Sequence, residues 1–222
     1  MKETHRISII TPSFNQVDFI ERTIRSVISQ EIDCETEYLV IDGGSTDGTL
    51  DILEKYRPLI HLTSEPDHGM SDALNKGFAA ASGDILGWLN SDDLYTPGAL
   101  AKVIRYFDRN PGCHWLYGQC VMVDEGDREV RRWITAYKNR KMNKYSYRRL
   151  LVENYISQPA VFFRKNALQR TGLLDTELKT AMDYDLWLRL AELGPPGIIR
   201  ETLACFRVHS SSISAQIGRA HV

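Results

Sequence analysis

Short apolar runs that stop abruptly at polar clusters, each followed by a stretch of helical periodicity, recur through the first half of this chain. Residues 6–11 are rich in β-branched side chains, and Pro12, Ser13, Phe14, Asn15 and Gln16 break the run before apolar residues return at Ile20, Ile24, Val27 and Ile28. This reads as strand, loop, amphipathic helix. Residues 38–41 repeat the pattern and end in the turn-rich residues 42–48, ahead of a helical stretch over residues 50–56. A third short strand is expected over residues 59–63, then a loop at residues 65–69. Met70, Ala73, Leu74, Gly77 and Ala81 fall on one helical stripe. Residues 85–89 are continuously apolar, as in a strand covered on both faces, and stop at Asn90, Ser91, Asp92 and Asp93. Leu100, Val103, Ile104 and Phe107 mark the next helix.

Strands and helices alternating at such short intervals predict an α/β fold whose mostly parallel sheet is flanked by helices on both faces. Ligands bind such sheets at the carboxyl ends of the strands. The clusters at residues 11–15, 42–47 and 90–93 all follow strands, so they converge on one edge. The second half changes character: residues 115–123 and 129–134 read as strands of a small antiparallel C-terminal extension, joined by Asp124, Glu125, Gly126 and Asp127. Residues 160–163 read as a further strand, Met182, Leu186, Leu190 and Leu193 as one helix face, and residues 198–208 as the closing segment.

With 43% hydrophobic and 25% charged residues in 222, the chain is neither disordered nor collagenous. A net charge of −2 lacks the basic surplus of a dedicated nucleic-acid binder. Cys34, Cys113, Cys120 and Cys205 include no CxxC pair, which disfavours a structural zinc site or a disulfide framework and fits a reducing cytoplasm. The apolar start at residues 7–10 is too short for a signal segment or a spanning helix, so a cytoplasmic location is expected. No GxxxxGK[ST] or GxGxxG pattern is present, which disfavours an ATPase or a dinucleotide dehydrogenase.

Carboxylates at the end of a buried strand need a chemical reason. Asp92 and Asp93 offer hard oxygen ligands suited to Mn²⁺ or Mg²⁺ with a diphosphate completing the coordination, although an aspartate there can also simply cap the following turn. Asp42 can accept the imide N–H of a pyrimidine base or open an Asx-turn into the glycine-rich loop. Asp183 precedes an apolar helical stripe, and from spacing alone a capping role is favoured. A lone histidine such as His209 is more often a satisfied residue than a ligand.

Together, residues 11–15 (TPSFN), 40–49 (VIDGGSTDGT), 67–77 (DHGMSDALNKG) and 88–93 (WLNSDD) resemble the donor half of family 2 glycosyltransferases, nearest to the bacterial branch that builds O-antigen and capsule repeat units. The similarity extends through Gln158 and Pro159, residues 182–189 (MDYDLWLR) and residues 206–209 (FRVH). The resemblance implies a GT-A fold, a Rossmann-like nucleotide-diphospho-sugar transferase architecture, with residues 1–111 as the donor half and residues 112–216 as the acceptor-binding and catalytic-base half of the same domain. It implies a nucleotide-diphosphate sugar donor, most simply a UDP-sugar, and inverting, metal-dependent transfer to a glycan or lipid-linked saccharide in cell-surface polysaccharide synthesis. Thr11, Pro12, Ser13 and Asn15 would then line the nucleoside pocket, Asp42 would read the base, and Asp67, Gly69, Asp72 and Asn90 would complete the donor site. Asp92 matches the metal-ligating acid of the DxD motif with Asp93 beside it, His209 matches a position near metal or diphosphate, and Asp183 matches the catalytic base. Asn90 departs from the usual first acid of that motif. Asp185, two residues on from Asp183, faces another side of the same helix. The competing readings are a non-catalytic nucleotide-sugar-binding subunit and a sugar-phosphate nucleotidyltransferase, whose glycine-rich basic N-terminal signature is missing.

Two segments stand outside this scheme. Arg128, Arg131, Arg132, Lys138, Arg140, Lys141, Lys144, Arg148 and Arg149 face a single acid, Glu129, with Trp133, Tyr137, Tyr145 and Tyr147 between them. Peripheral contact with the inner face of a membrane, a clamp on a lipid-linked diphosphate and a solvated loop are all open readings, and nucleic acid is not an expected partner. Residues 217–222 (IGRAHV) translate one frame of a widely used sequencing adapter and are expected to be non-native.

Overall fold

In the computed structural model, which describes residues 6–178 and 180–210, the four apolar runs of the first half become four parallel strands. These are β1 (Arg6–Ser13), β2 (Glu35–Asp42), β3 (His61–Ser64) and β4 (Ile85–Trp88), alternating with α1 (Ile20–Ile28), α2 (Thr49–Tyr56) and α3 (Met70–Ala80). The second half adds β5 (Leu94–Tyr95), α4 (Ala99–Arg109), β6 (Trp115–Val123), α5 (Arg132–Met142), α6 (Tyr147–Leu150), a 3-10 turn at Gln158–Ala160, β7 (Val161–Arg164), α7 (Lys165–Thr171), α8 (Met182–Glu192) and β8 (Gly197–Arg207). The suspected adapter tail lies outside the described residues.

All eight strands join one sheet in the order β3-β2-β1-β4-β7-β6-β8-β5. β7 runs antiparallel to both β4 and β6, and β5 antiparallel to β8, so the two halves of the chain are fused edge to edge through the β4–β7 ladder. The first connection carries the chain from β1 to β2 on one side, and the return from β3 places β4 on the other. β1 and β4 therefore flank a switch point, the place where sheets of this kind take ligands in a crevice at the carboxyl ends of their strands.

Alternate residues of the strands feed two cores. Ile10, Leu39, Ile41 and Trp88 pack with α3 and α8 through Leu74, Phe78, Leu186 and Trp187. Ile7, Ile9 and Val40 pack on the other face with α1, α2 and α4 through Ile24, Leu53, Leu100 and Phe107. Gly77 sets the height of α3 above the sheet, because a Cβ there would stand 2.4 Å from Ile10 Cγ2. Burying both faces makes β1, β2 and β4 almost wholly apolar, which is why they were legible as strands.

One expectation is corrected. Residues 129–134 do not form a strand: pairing stops at an isolated bridge between Val123 and Glu129, and Arg131 turns into a left-handed conformation (φ 50°) from which α5 departs. Val130, Trp133, Ile134 and Tyr137 satisfy a helical spacing as readily as an alternating one over so short a window. No helix among the described residues is long and apolar enough to cross a membrane.

Candidate active site

The loops after β1 and β2 are stitched together by their own side chains. Ser13 stands in register with Asp42, and Gly43 N–H donates to the Ser13 carbonyl at 2.8 Å. Asn15 adopts φ 52°, tolerable for asparagine, which lets its N–H donate to Ser45 Oγ (2.8 Å) while its Oδ1 accepts from Thr46 N–H (2.9 Å). Asp47 holds the next turn, accepting from Val17 N–H and from the Thr49 N–H and hydroxyl. These bonds hold Asp47 below the ordinary carboxylate range against the opposing effect of its burial.

Asp42 is completely buried, and Oδ2 accepts from Gly44 N–H, Ser45 N–H and the Ser64 hydroxyl, while Oδ1 accepts from the Ser45 hydroxyl. Three donors crowd Oδ2 and Ser45 takes Oδ1, in a side chain with no exposed surface, so the carboxylate is committed to the protein. The expectation that Asp42 reads the base is thereby corrected to the Asx-turn role. Thr11 is corrected likewise: it is fully buried with its hydroxyl 3.1 Å from Tyr38 OH, and supplies no pocket wall. Pro12 is buried beside it. Ser13 is buried with an unpartnered Oγ, a polar atom that awaits a donor or acceptor, and the neighbouring Phe14 projects 59% exposed at the strand end.

Asp67 occupies the space that Asp42 leaves unserved. Its carboxylate packs on Gly43, where an added Cβ would stand 2.5 Å from Asp67 Oδ2; its Oδ1 accepts from Gly69 N–H at 2.8 Å. Among the described residues no hydrogen bond reaches Oδ2. Asp72 caps the start of α3 by accepting from His68 N–H (3.1 Å) and pairs with Lys76 at 3.3 Å, and these contacts hold its carboxyl below the ordinary range.

Across the crevice, Asn90 Oδ1 accepts from the Trp88 indole at 2.7 Å, and Gln158 Nε2 donates to the Trp88 carbonyl at 2.6 Å. Asp92 Oδ2 lies 2.9 Å from His209 Nε2. The pair joins the loop after β4 to the residues following β8. Asp93, by contrast, is fully buried: its Oδ1 accepts from Arg207 N–H at 2.8 Å, Oδ2 is unpartnered, and burial pushes its carboxyl well up. A carboxyl in that position suits a neutral structural brace, so its expected role as a metal ligand is corrected. Among the described residues no three His, Cys, Asp or Glu side chains form a complete metal cage. The donor set that does converge is one carboxylate and one imidazole, which fits a divalent ion whose remaining positions come from a substrate.

Arg207 is the anchor that sequence reasoning quoted in a motif but gave no task. It is fully buried, its Nε donates to the Asp92 carbonyl and its Nη1 to the Asp124 carbonyl (both 2.7 Å), and Nη2 pairs with Asp127. Its guanidinium lies 5.2 Å from the Phe19 ring centroid, and that ring also faces Arg22 (5.5 Å) and His209 (4.5 Å). Thr23 Oγ1 adds contacts of 2.8 and 2.9 Å to the Ser91 and Asp93 carbonyls, so the Asp92 loop is held from two sides.

Asp183 lies in the first turn of α8, after Ala181 in a left-handed conformation. Asn154 Nδ2 approaches its Oδ2 at 3.4 Å, while Asn154 Oδ1 is buried and unpartnered. Burial raises the Asp183 carboxyl above its ordinary value, against the opposite pull of the Tyr184 N–H, Asn154 and Lys138. Ser71 donates to Met182 Sδ at 2.8 Å, and the segment from Asn154 to Gln158 leads to Trp88. These contacts tie the start of α8 to the start of α3 and, through residues 154–158, to the end of β4. Asp185 points elsewhere, to Arg189 at 2.7 Å. Asn154 and Gln158 each keep a buried, unpartnered carbonyl oxygen; Gln158 belongs to the segment quoted for the resemblance but carried no role there, and nothing local in the sequence marks Asn154.

A sheet with its switch point between β1 and β4, an acid–imidazole pair after β4 and β8, and a separate half-buried carboxyl at the start of α8 are carried by a GT-A fold. Residues 8–172 match the model of Glycosyl transferase family 2, and this chain belongs to that family. It is 33% identical over 211 residues to the uncharacterized glycosyltransferase Rv1514c of Mycobacterium tuberculosis (strain H37Rv), covering 93% of this chain and 76% of that one. It is 29% identical over 220 residues to TuaG of Bacillus subtilis (strain 168), named for teichuronic acid biosynthesis, covering 96% and 83% respectively. The crystal structure of S. aureus TarS 1–349 with UDP-GlcNAc superposes with a TM-score of 0.76 at 20% identity, over 93% of this chain and 60% of that one.

Proposed function

We propose that this chain transfers a sugar from a UDP-sugar, with inversion, to a hydroxyl of a glycan or lipid-linked saccharide during cell-surface polysaccharide synthesis. The observation that carries the reading is that the chain holds two separate acidic centres, Asp92 paired with His209 after β4 and the half-buried Asp183 at the start of α8. The similarity to TuaG supports the polysaccharide setting, and the TarS complex supports a uridine nucleotide.

Ser13, Phe14 and Asn15 receive the nucleoside, with Phe14 free to lie against the base and Asp67 Oδ2 free to accept its imide N–H. Asp92 and His209 would hold Mn²⁺ or Mg²⁺, whose charge offsets that of the departing diphosphate. Asp183 takes the proton of the attacking acceptor hydroxyl, and its raised basicity suits that task. Asn154 Oδ1 is placed to accept a second hydroxyl and orient the acceptor. Attack from the side opposite the leaving group inverts the anomeric centre.

Calorimetric titration with UDP, GDP and CDP, each with Mn²⁺ and with EDTA, tests the donor site. Metal-dependent preference for UDP is expected. Preference for GDP would overturn the uridine assignment, and binding of none of the three would overturn the nucleotide-sugar reading altogether.

A further inference from the structure

We propose that α5 and the turn after α6 form a docking face for an anionic lipid surface. On α5 the residues Arg132, Trp133, Ala136, Tyr137 and Arg140 are all exposed, and their spacing gathers them on one stripe of the helix. The opposite side is occupied: Thr135 and Met142 are buried, Asn139 Oδ1 accepts from Cys120 N–H at 3.3 Å, and Lys138 is felt electrostatically by Asp183. The outward stripe therefore faces away from both the sheet and the crevice.

The chain has four tryptophans; three (Trp88, Trp115 and Trp187) are buried, whereas Trp133 is 77% exposed. A second apolar prong, Leu151 and Val152, follows α6, with Val152 85% exposed. The two prongs belong to one surface, because Lys141 Nζ lies 4.3 Å from the Tyr137 ring centroid and pairs with Glu153, the neighbour of Val152. Between them, Arg131, Arg140, Lys144 and Arg148 have no carboxylate partner among the described residues.

Charge complementarity selects the occupant. Residues 128–149 hold nine cations against one acid in a chain of net charge −2, and although Lys138 lies on the inner side and Arg128, Arg132 and Lys141 are paired with carboxylates, the exposed Arg131, Arg140, Lys144 and Arg148 leave the face more basic than the molecule that carries it. Separate aromatic and aliphatic prongs set among free cations match a headgroup boundary, where rings and aliphatic side chains enter the acyl edge and cations meet lipid phosphates. Docking in this pose stands the crevice beside the bilayer, since the inner side of the same helix leads to Asp183. The inference needs only the surface chemistry and does not depend on the transferase reading.

Co-sedimentation of the full chain with vesicles of phosphatidylcholine alone, and with one quarter phosphatidylglycerol, tests it. Binding to the anionic vesicles only is expected, abolished in 1 M salt. Arg140→Gln and Arg148→Gln should each weaken it by about fivefold, and Trp133→Ser and Val152→Ser should weaken it further. Wild-type tryptophan emission should shift to shorter wavelength on binding, because Trp133 is the exposed indole. Absence of sedimentation with anionic vesicles, equal binding to both kinds, or indifference to the two arginine substitutions overturns the proposal. Binding of free inorganic pyrophosphate through Arg140 and Arg148 without vesicle binding also overturns it, in favour of a diphosphate clamp. Titration with UDP on the same preparations reports the donor site separately, so failure of one reading is not mistaken for failure of the other.

Discussion

His209 Nε2 meets Asp92 Oδ2 at 2.9 Å, across 117 residues of chain, while Asp93 next door accepts from the Arg207 backbone instead. Two adjacent acids thus have opposite fates, one at the crevice and one inside the protein. Asp92→Asn removes a charged ligand and should lower Mn²⁺-dependent UDP affinity by at least about tenfold, with His209→Ala acting in the same direction. Asp93→Asn keeps an acceptor for the Arg207 N–H and should leave that affinity nearly unchanged. Calorimetry of the three variants checks the division, and a loss in Asp93→Asn equal to that in Asp92→Asn would contradict it.

Asp183 is expected to trade stability for activity. Its carboxyl is raised by burial, so between the ordinary aspartate value and the raised one the native chain holds more protons than the unfolded chain. Stability contributed by this group is therefore lost as pH rises through that window. Asp183→Asn should melt above wild type at pH 8, with the gap closing toward pH 4. The same substitution should reduce transfer by about 10²–10⁴-fold while preserving UDP binding. In the wild type, the rate should fall as pH drops through the raised value. Thermal melts at two pH values and a pH–rate profile measure both halves; an unchanged transfer rate would remove Asp183 from the role of base, and loss of transfer together with loss of UDP binding would reassign it to the donor site.

The parallel half of the fold was legible because β1, β2 and β4 are covered on both faces, which leaves unbroken apolar runs ending at polar loops. α5 was not, since its outward stripe carries Trp133 and Tyr137, residues that a rule built on burial assigns to a strand interior. The site divides in the same manner. Motifs place Asp92, Asp183 and His209 at the crevice, but whether an acid faces it depends on distant partners. Asp42 is consumed in part by Ser64, 22 residues on, and Asp93 by Arg207, 114 residues on. No local pattern encodes such bonds.

With Asp42 satisfied internally, the proposed function gives the reading of the pyrimidine to Asp67. Asp67→Asn exchanges an acceptor pair for an amide that can donate to N3 of cytosine. UDP affinity should fall by about 10–100-fold and the preference for UDP over CDP should narrow or reverse. Gly43→Ala should produce a similar loss of UDP affinity by a steric route, since its Cβ would stand 2.5 Å from the Asp67 carboxylate. Parallel titrations with UDP and CDP decide the matter. An unaltered UDP-to-CDP ratio in Asp67→Asn would mean that the base is read elsewhere.

Arg207 should prove to be the residue that holds the Asp92 loop in place. Arg207→Met retains much of the buried volume but orphans the Asp92 and Asp124 carbonyls that Nε and Nη1 reach at 2.7 Å. The pairing with Asp127 adds less, because that carboxylate is 41% exposed and screened by water. Loss of the two charge-assisted bonds should cost about 3 kcal/mol, or about 6–12 °C in Tm for a chain of this size. Arg22→Gln, which removes the second cation near the Phe19 ring, should cost less than about 1 kcal/mol, as its own ion pair is solvated. Below its melting point, Arg207→Met should still bind UDP in EDTA as wild type does but lose most of the Mn²⁺ enhancement, because the displaced loop no longer presents Asp92 to His209. A variant that melts with wild type, or that keeps the full metal effect, would show that Thr23 alone secures the loop.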